Sequence, residues 1–319
     1  MPRYQELLCI VALLGVSVPV LSAPFGDISD ARLRAAMARG SLVELGEIGT
    51  NLSHEALFRA LSATHREVVL GAIAAVERAP DNWRYLALLA DRAGGPDRPL
   101  AALAAEVAAD IVGQLDPQTI AEQEIASAEL DPQREAWLSV AHLSGHYADV
   151  RVRALEVLAG LARLPVYDLL VDDPERAGYE LAALAADDEP EIRRAALELW
   201  PSARAPDDRA VAVHALRDDP DQDVALAAAL LLCPPVGADG DDRADTLAAM
   251  GEAGRTRLMA LLGEFERAPA ALLAGARCLA ADPSEASQDA LRTLAEQGPE
   301  AIRAAVRSLL AAGPERARP

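Results

Sequence analysis

The sequence predicts an all-α protein, an α-solenoid of stacked antiparallel helix pairs. Three observations predict it. A short helical motif is written twice, as DVRVRALEVL at residues 149–158 and as EPEIRRAALELW at residues 189–200. Ala and Leu supply most of the apolar surface and aromatics only 3%, which suits close helix–helix packing better than a β-sandwich rich in Val, Ile, Tyr and Phe. No stretch alternates strongly between apolar and polar residues, so essentially no sheet is expected.

The first element is a targeting signal. Arg3 and the amino terminus precede an apolar run over residues 7–21, with Val20 and Ser22 at the positions three and one before a cut. That run is short for a hydrocarbon core about 30 Å thick, which takes about 20 helical residues to cross. Residues 1–22 are therefore expected to be a secretory signal peptide cut near Ser22, giving a periplasmic or secreted protein. The alternative is membrane anchoring by an uncleaved N-terminal segment. Cys9 stands at the start of the apolar run, not at its end, which speaks against a lipoprotein. Export permits a disulfide between Cys233 and Cys278, yet their Ala/Leu-rich helical surroundings favour two buried free thiols.

The solenoid is expected over residues 23–319. Helical periodicity marks helices at 30–39, 52–62, 65–79, 82–93, 99–113, 118–129, 132–144, 149–163, 174–186, 190–200, 207–217, 221–232, 241–250, 253–265, 269–281, 285–297 and 299–312. Asp-Pro pairs begin at Asp116, Asp131, Asp173, Asp219 and Asp282. Each reads as an N-cap Asp followed by Pro at the first helical position, where the missing N–H had no partner to lose. In the 190–200 helix, Ile192, Ala195, Ala196, Leu199 and Trp200 form one apolar face and Leu197 lies well round from it. So wide an apolar arc is buried from more than one side. Weaker copies place Val68, Leu100, Val224, Ala270 and Ile302 where Ile192 stands. A helix pair of this kind cannot bury its own apolar face, and stacking pairs buries it. Residues 114–145 are polar and irregularly spaced, either an insertion on a binding face or a divergent repeat.

The pattern resembles the armadillo-like HEAT-repeat family, including its phycobilisome-lyase subgroup. An acidic turn, then Val/Ile-Arg, then Ala-Leu or Ala-Ala-Leu carries the resemblance, clearest at 149–158 and 189–200 and weaker at 221–232 and 299–310. The resemblance implies a superhelix whose turn Asp and following Arg pair between neighbouring repeats. By position these are Asp187 or Asp188 with Arg193, and Asp149 with Arg151, with Ala225 breaking the series in the 221–232 copy. It also implies that the second helix of each pair lines the concave side. The polar positions there are Arg153, Glu156 and Arg163 in one repeat and Glu191, Arg194 and Glu198 in another. Arg153, Glu156, Arg163, Arg194 and Glu198 are the expected partner-binding residues. A tetratricopeptide array, which needs a 34-residue period and aromatics at fixed places, fits this composition badly.

Composition and motifs narrow the chemistry. The net charge is -20 and the pI about 4.6, so the surface repels phosphate backbones and nucleic acid is not an expected partner. Every one of the 30 basic residues is Arg, which excludes a Walker-type phosphate loop and Schiff-base or pyridoxal chemistry. His142 and His146 stand four apart, but HLSGH lacks the metalloprotease Glu. ADGDDRAD at 238–245 crowds four Asp together without the final Glu of an EF-hand, and Asp is at home at a helix start without any metal. No nucleophile elbow, dinucleotide fingerprint or C-x-x-C pair occurs. The expectation is a non-catalytic scaffold or adaptor that binds protein partners, with no cofactor and no metal. The alternatives are a HEAT enzyme of the phycobilin lyase or isomerase kind and an obligate subunit of an envelope or secretion complex.

Overall fold

The computed structural model describes residues 54–115, 127–162, 174–203, 208–233, 240–264 and 269–312. Every regular element among them is helical, packed helix on helix in a solenoid-like stack. The chain divides into two compact units, Met1–Leu115 and Asp116–Pro319. Residues 1–22 and Arg163 lie outside the described residues.

In the first unit, α1 (His54–Leu61) and α2 (Arg66–Val76) form a pair. A 3-10 turn (Asn82–Tyr85) leads into α3 (Leu86–Ala93), which packs on α4 (Arg98–Gln114). Leu57, Leu61, Ile73, Leu86, Leu89 and Ile111 are wholly buried. Asp97 caps α4 by accepting from the Leu100 N–H at 3.2 Å, and it also takes a hydrogen bond from the Arg66 guanidinium at the start of α2. Tyr85 is buried against the His54 ring, and loss of solvent, with Asp81 nearby, pushes its phenol up to about 12.

The second unit holds α5 (Ser127–Ala141), α6 (Ala148–Ala162), α7 (Pro174–Ala185), α8 (Pro190–Ala203), α9 (Asp208–Asp218) and α10 (Gln222–Leu232). It continues through α11 (Gly240–Leu262), α12 (Pro269–Leu279), α13 (Glu285–Gln297) and α14 (Glu300–Ala312). Helices touch their immediate neighbours and the next but one, so α6, α8, α10, α12 and α14 form one layer. Ile192, Ala196, Leu197, Leu199 and Trp200 are all buried on α8, as the wide apolar arc requires. Ala154 of α6 and Ala196 of α8 have no exposed surface, and their small side chains let the packed helices approach.

Three features differ from the sequence expectation. Helix α5 runs straight through Pro132, where a helix start was expected. Leu130, Gln133, Trp137, Val140 and Ala141 make one buried stripe along it, and burial of that stripe outweighs the hydrogen bond that proline removes. The same stripe makes residues 127–141 of the polar segment a packed helix of the stack. Asp219 and Asp282 do not cap helices; α10 starts after the cap residue Asp221, and α13 after Ser284. Cys233 and Cys278 are a disulfide, with Cα atoms 5.3 Å apart, and not two free thiols. The stack brings the end of α10 against the end of α12, a proximity that local sequence does not encode. The two expected helices at 241–250 and 253–265 meet at Gly251, whose φ of 63° and ψ of -172° interrupt α11.

Candidate partner-binding face

Helices α6 and α8 lie side by side in one layer. Their buried sides are set by Val150, Ala154, Leu155, Val157, Leu158 and Leu161 on α6 and by the Ile192–Trp200 arc on α8. Arg153 and Glu156 project from α6, and Arg194 and Glu198 from α8. Their side chains keep 44%, 48%, 40% and 60% of their surface, enough for a partner to reach each of them.

The structure brings these residues together as two pairs. Arg153 donates to Glu156 one turn on, and Arg194 Nε lies 3.7 Å from Glu198. Both are surface pairs three or four residues apart on one helix, worth about 0.3–0.5 kcal/mol each. A partner carrying its own charges exchanges such pairs at little cost. The face is thus a row of alternating sign, weakly self-satisfied. Glu191 is exposed at the start of α8.

Behind this face runs a ladder of stronger ion pairs. Arg151 of α6 keeps only 3% of its side-chain surface and grips Asp187 in the α7–α8 turn, with Nη1 donating to Oδ1 at 3.1 Å and Nη2 to Oδ2. Its Nε donates to the Ala141 carbonyl at 2.8 Å, satisfying the C-terminal end of α5. Arg193 of α8 repeats the arrangement with Asp219 in the α9–α10 turn, at 2.7 and 2.9 Å. Arg255 of α11 lies 3.6 Å from Asp282 in the α12–α13 turn, a looser contact.

The Asp side of each contact is built alike. Asp187, Asp219 and Asp282 each accept from the backbone N–H two residues on, at Glu189, Asp221 and Ser284. These short turns fix the carboxylates. Burial alone would raise all three carboxyls, but their hydrogen bonds outweigh it and hold them below the usual carboxylate range. For Asp187 and Asp219 the Arg partner leads that lowering; for Asp282 it is the Ser287 hydroxyl.

The expected partners of the ladder are corrected by one repeat. Arg193 ion-pairs with Asp219 and reaches Asp187 and Asp188 only through their backbone carbonyls, and Arg151 pairs with Asp187, not Asp149. An Arg in the first turn of a helix points towards the next repeat's turn, which lies beside it in the stack. Ala225 stands where the third Arg would be and is fully buried.

A second surface was not anticipated. Tyr179 of α7 keeps 75% of its surface and Leu143 after α5 keeps 40%, both large and apolar. Between their chain neighbours, His142 Nε2 lies 2.8 Å from Glu180 Oε2, although it is not aligned as a hydrogen bond. The His146 ring lies tilted against that of Tyr147, with centroids 4.6 Å apart. Among the described residues no group of His, Cys, Asp and Glu is arranged to hold a metal, and no helix is long and apolar enough to cross a membrane. The side chains of residues 238–244 lie outside the described ones.

No protein-family model matches this chain, and neither does any curated protein sequence. Among solved structures it is similar to the crystal structure of an engineered protein, with a TM-score of 0.55 and 18% identity over 91% of this chain and 78% of the other. That likeness shows the fold alone.

Proposed function

We propose that this protein is a non-catalytic scaffold of HEAT-like repeats that binds protein partners outside the cytoplasm. The observation that carries the reading is the exposed row on α6 and α8, where Arg153 with Glu156 and Arg194 with Glu198 present both signs on neighbouring helices. Mixed charge in register suits an extended peptide or a helical partner whose own charges set the alignment. The net charge of -20 adds long-range steering of basic partners, screened over about 8 Å at physiological ionic strength. The Cys233–Cys278 disulfide supports an oxidising compartment, in keeping with a secretory signal over residues 1–22.

The test is affinity capture from the native envelope fraction, read by mass spectrometry, with the wild type beside a Glu156→Arg/Glu198→Arg double variant. Loss of the captured protein with helical circular dichroism retained supports the row as the binding face. Capture unchanged in amount and in salt dependence removes it. Leu143 within the polar segment at 114–145, and Tyr179 beyond it, favour a second location. A Tyr179→Ser variant that alone loses the partner would place binding there.

A further inference from the structure

We propose that the Cys233–Cys278 bond is a redox latch on an articulation point, and that reducing it frees helices α12–α14 from the stack of α5–α10. Three independent features mark this joint. The ladder that ties α6 to α8 and α8 to α10 has no Arg on α10, where Ala225 is buried in its place. Helices α10 and α12 also pack less closely than α6 with α8 or α8 with α10. The helix that packs on both of them, α11, is broken at Gly251. Its φ of 63° with ψ of -172° is a backbone state open essentially to glycine, and nothing lies within 4 Å of where a Cβ would stand. The glycine is therefore required by the backbone bend and not by crowding.

The disulfide closes this joint. Cys233 caps the C-terminus of α10 and Cys278 is the penultimate residue of α12, so one bond joins the two layer neighbours that lack the ion-pair tie. Both residues are buried, so a reductant reaches the sulfurs only when the joint opens. The reductant is a dithiol. One of its thiolates attacks one sulfur, and the other cysteine leaves as a thiolate and takes a proton. The second thiol of the reductant then displaces the first cysteine, so the protein gains two electrons and two protons and the reductant becomes a disulfide. The latch does not depend on which face binds a partner.

The experiment is hydrogen exchange with mass spectrometry on the full chain, oxidised and after dithiothreitol. Reduction should speed exchange across residues 269–312 by ~10-fold or more while residues 127–232 keep their rates, the signature of a sub-global opening. A Cys233→Ala/Cys278→Ala double variant should show the same regional pattern without reductant; the reduced wild type decides the matter if that variant does not fold. Three results overturn the proposal. They are unchanged exchange at 269–312 after reduction, equal acceleration in both regions, and a bond that dithiothreitol cannot cleave until the whole chain unfolds.

Discussion

Arg193 holds both carboxylate oxygens of Asp219, at 2.7 and 2.9 Å, while its remaining Nη1 donates at 2.9 Å to each of the Asp187 and Asp188 carbonyls. One guanidinium therefore serves two successive turns. The two side chains keep only 13% and 8% of their surface, so the pair is shielded from the water and salt that weaken surface pairs.

Removing one partner should be costly. Arg193→Ala leaves the Asp219 carboxylate buried with only the Asp221 N–H and the more distant charge of Arg257 in its favour, and should lower unfolding free energy by about 3 kcal/mol in urea titrations. Arg153→Ala, which deletes a solvent-exposed pair on α6, should change it by less than about 1 kcal/mol. Equal losses from the two would mean that the ladder contributes no more than surface charge does.

Acid should act through the same carboxylates. Asp187, Asp219 and Asp282 are held below their ordinary range when folded. A depressed carboxyl contributes stability that is complete above the unfolded value of about 3.9 and is lost as pH falls through the folded value. The stability gap between wild type and Asp219→Asn should accordingly be constant above about pH 5 and shrink below about pH 4. A gap that closes between neutral pH and pH 5 would assign the effect to other groups.

Packing gives a third test. Ala154 and Ala196 have no exposed surface. Replacing either with Glu forces a larger side chain and an unpaired charge between helices, and should cost at least ~3 kcal/mol. An unchanged denaturation midpoint in both variants would mean that these positions face water.

The fold was legible because burial on both sides of a helix leaves a wide apolar arc, and Ile192 to Trp200 writes that arc plainly. The break at Gly251 falls in the gap between the helices expected at 241–250 and 253–265. Pro132 misled, because its local signal for a helix start competes with a long buried stripe from Leu130 to Ala141 that only the packed stack completes. The ladder was legible in residue type and not in pairing. Arg151 and Asp187 are 36 residues apart, and nothing near either one says which repeat supplies the partner. Cys233 with Cys278, and the exposed Tyr179, depend in the same way on which helices become neighbours.

Each ladder arginine reaches forward along the chain: Arg151 to Asp187, Arg193 to Asp219, Arg255 to Asp282. Each of these ion pairs therefore has a direction. As the chain is synthesised from its N-terminus, the α5–α6 pair is made with Arg151 still lacking its acid, and it is completed only when the α7–α8 turn arrives; the α7–α8 pair then waits in turn for Asp219. A nascent chain halted after α6 carries a guanidinium with no carboxylate to meet, an incentive for the next pair to dock at once. In a linear array whose stability is set by neighbour-to-neighbour terms, such one-way ties make consecutive pairs form together, and they assign the task of completing each pair to its successor.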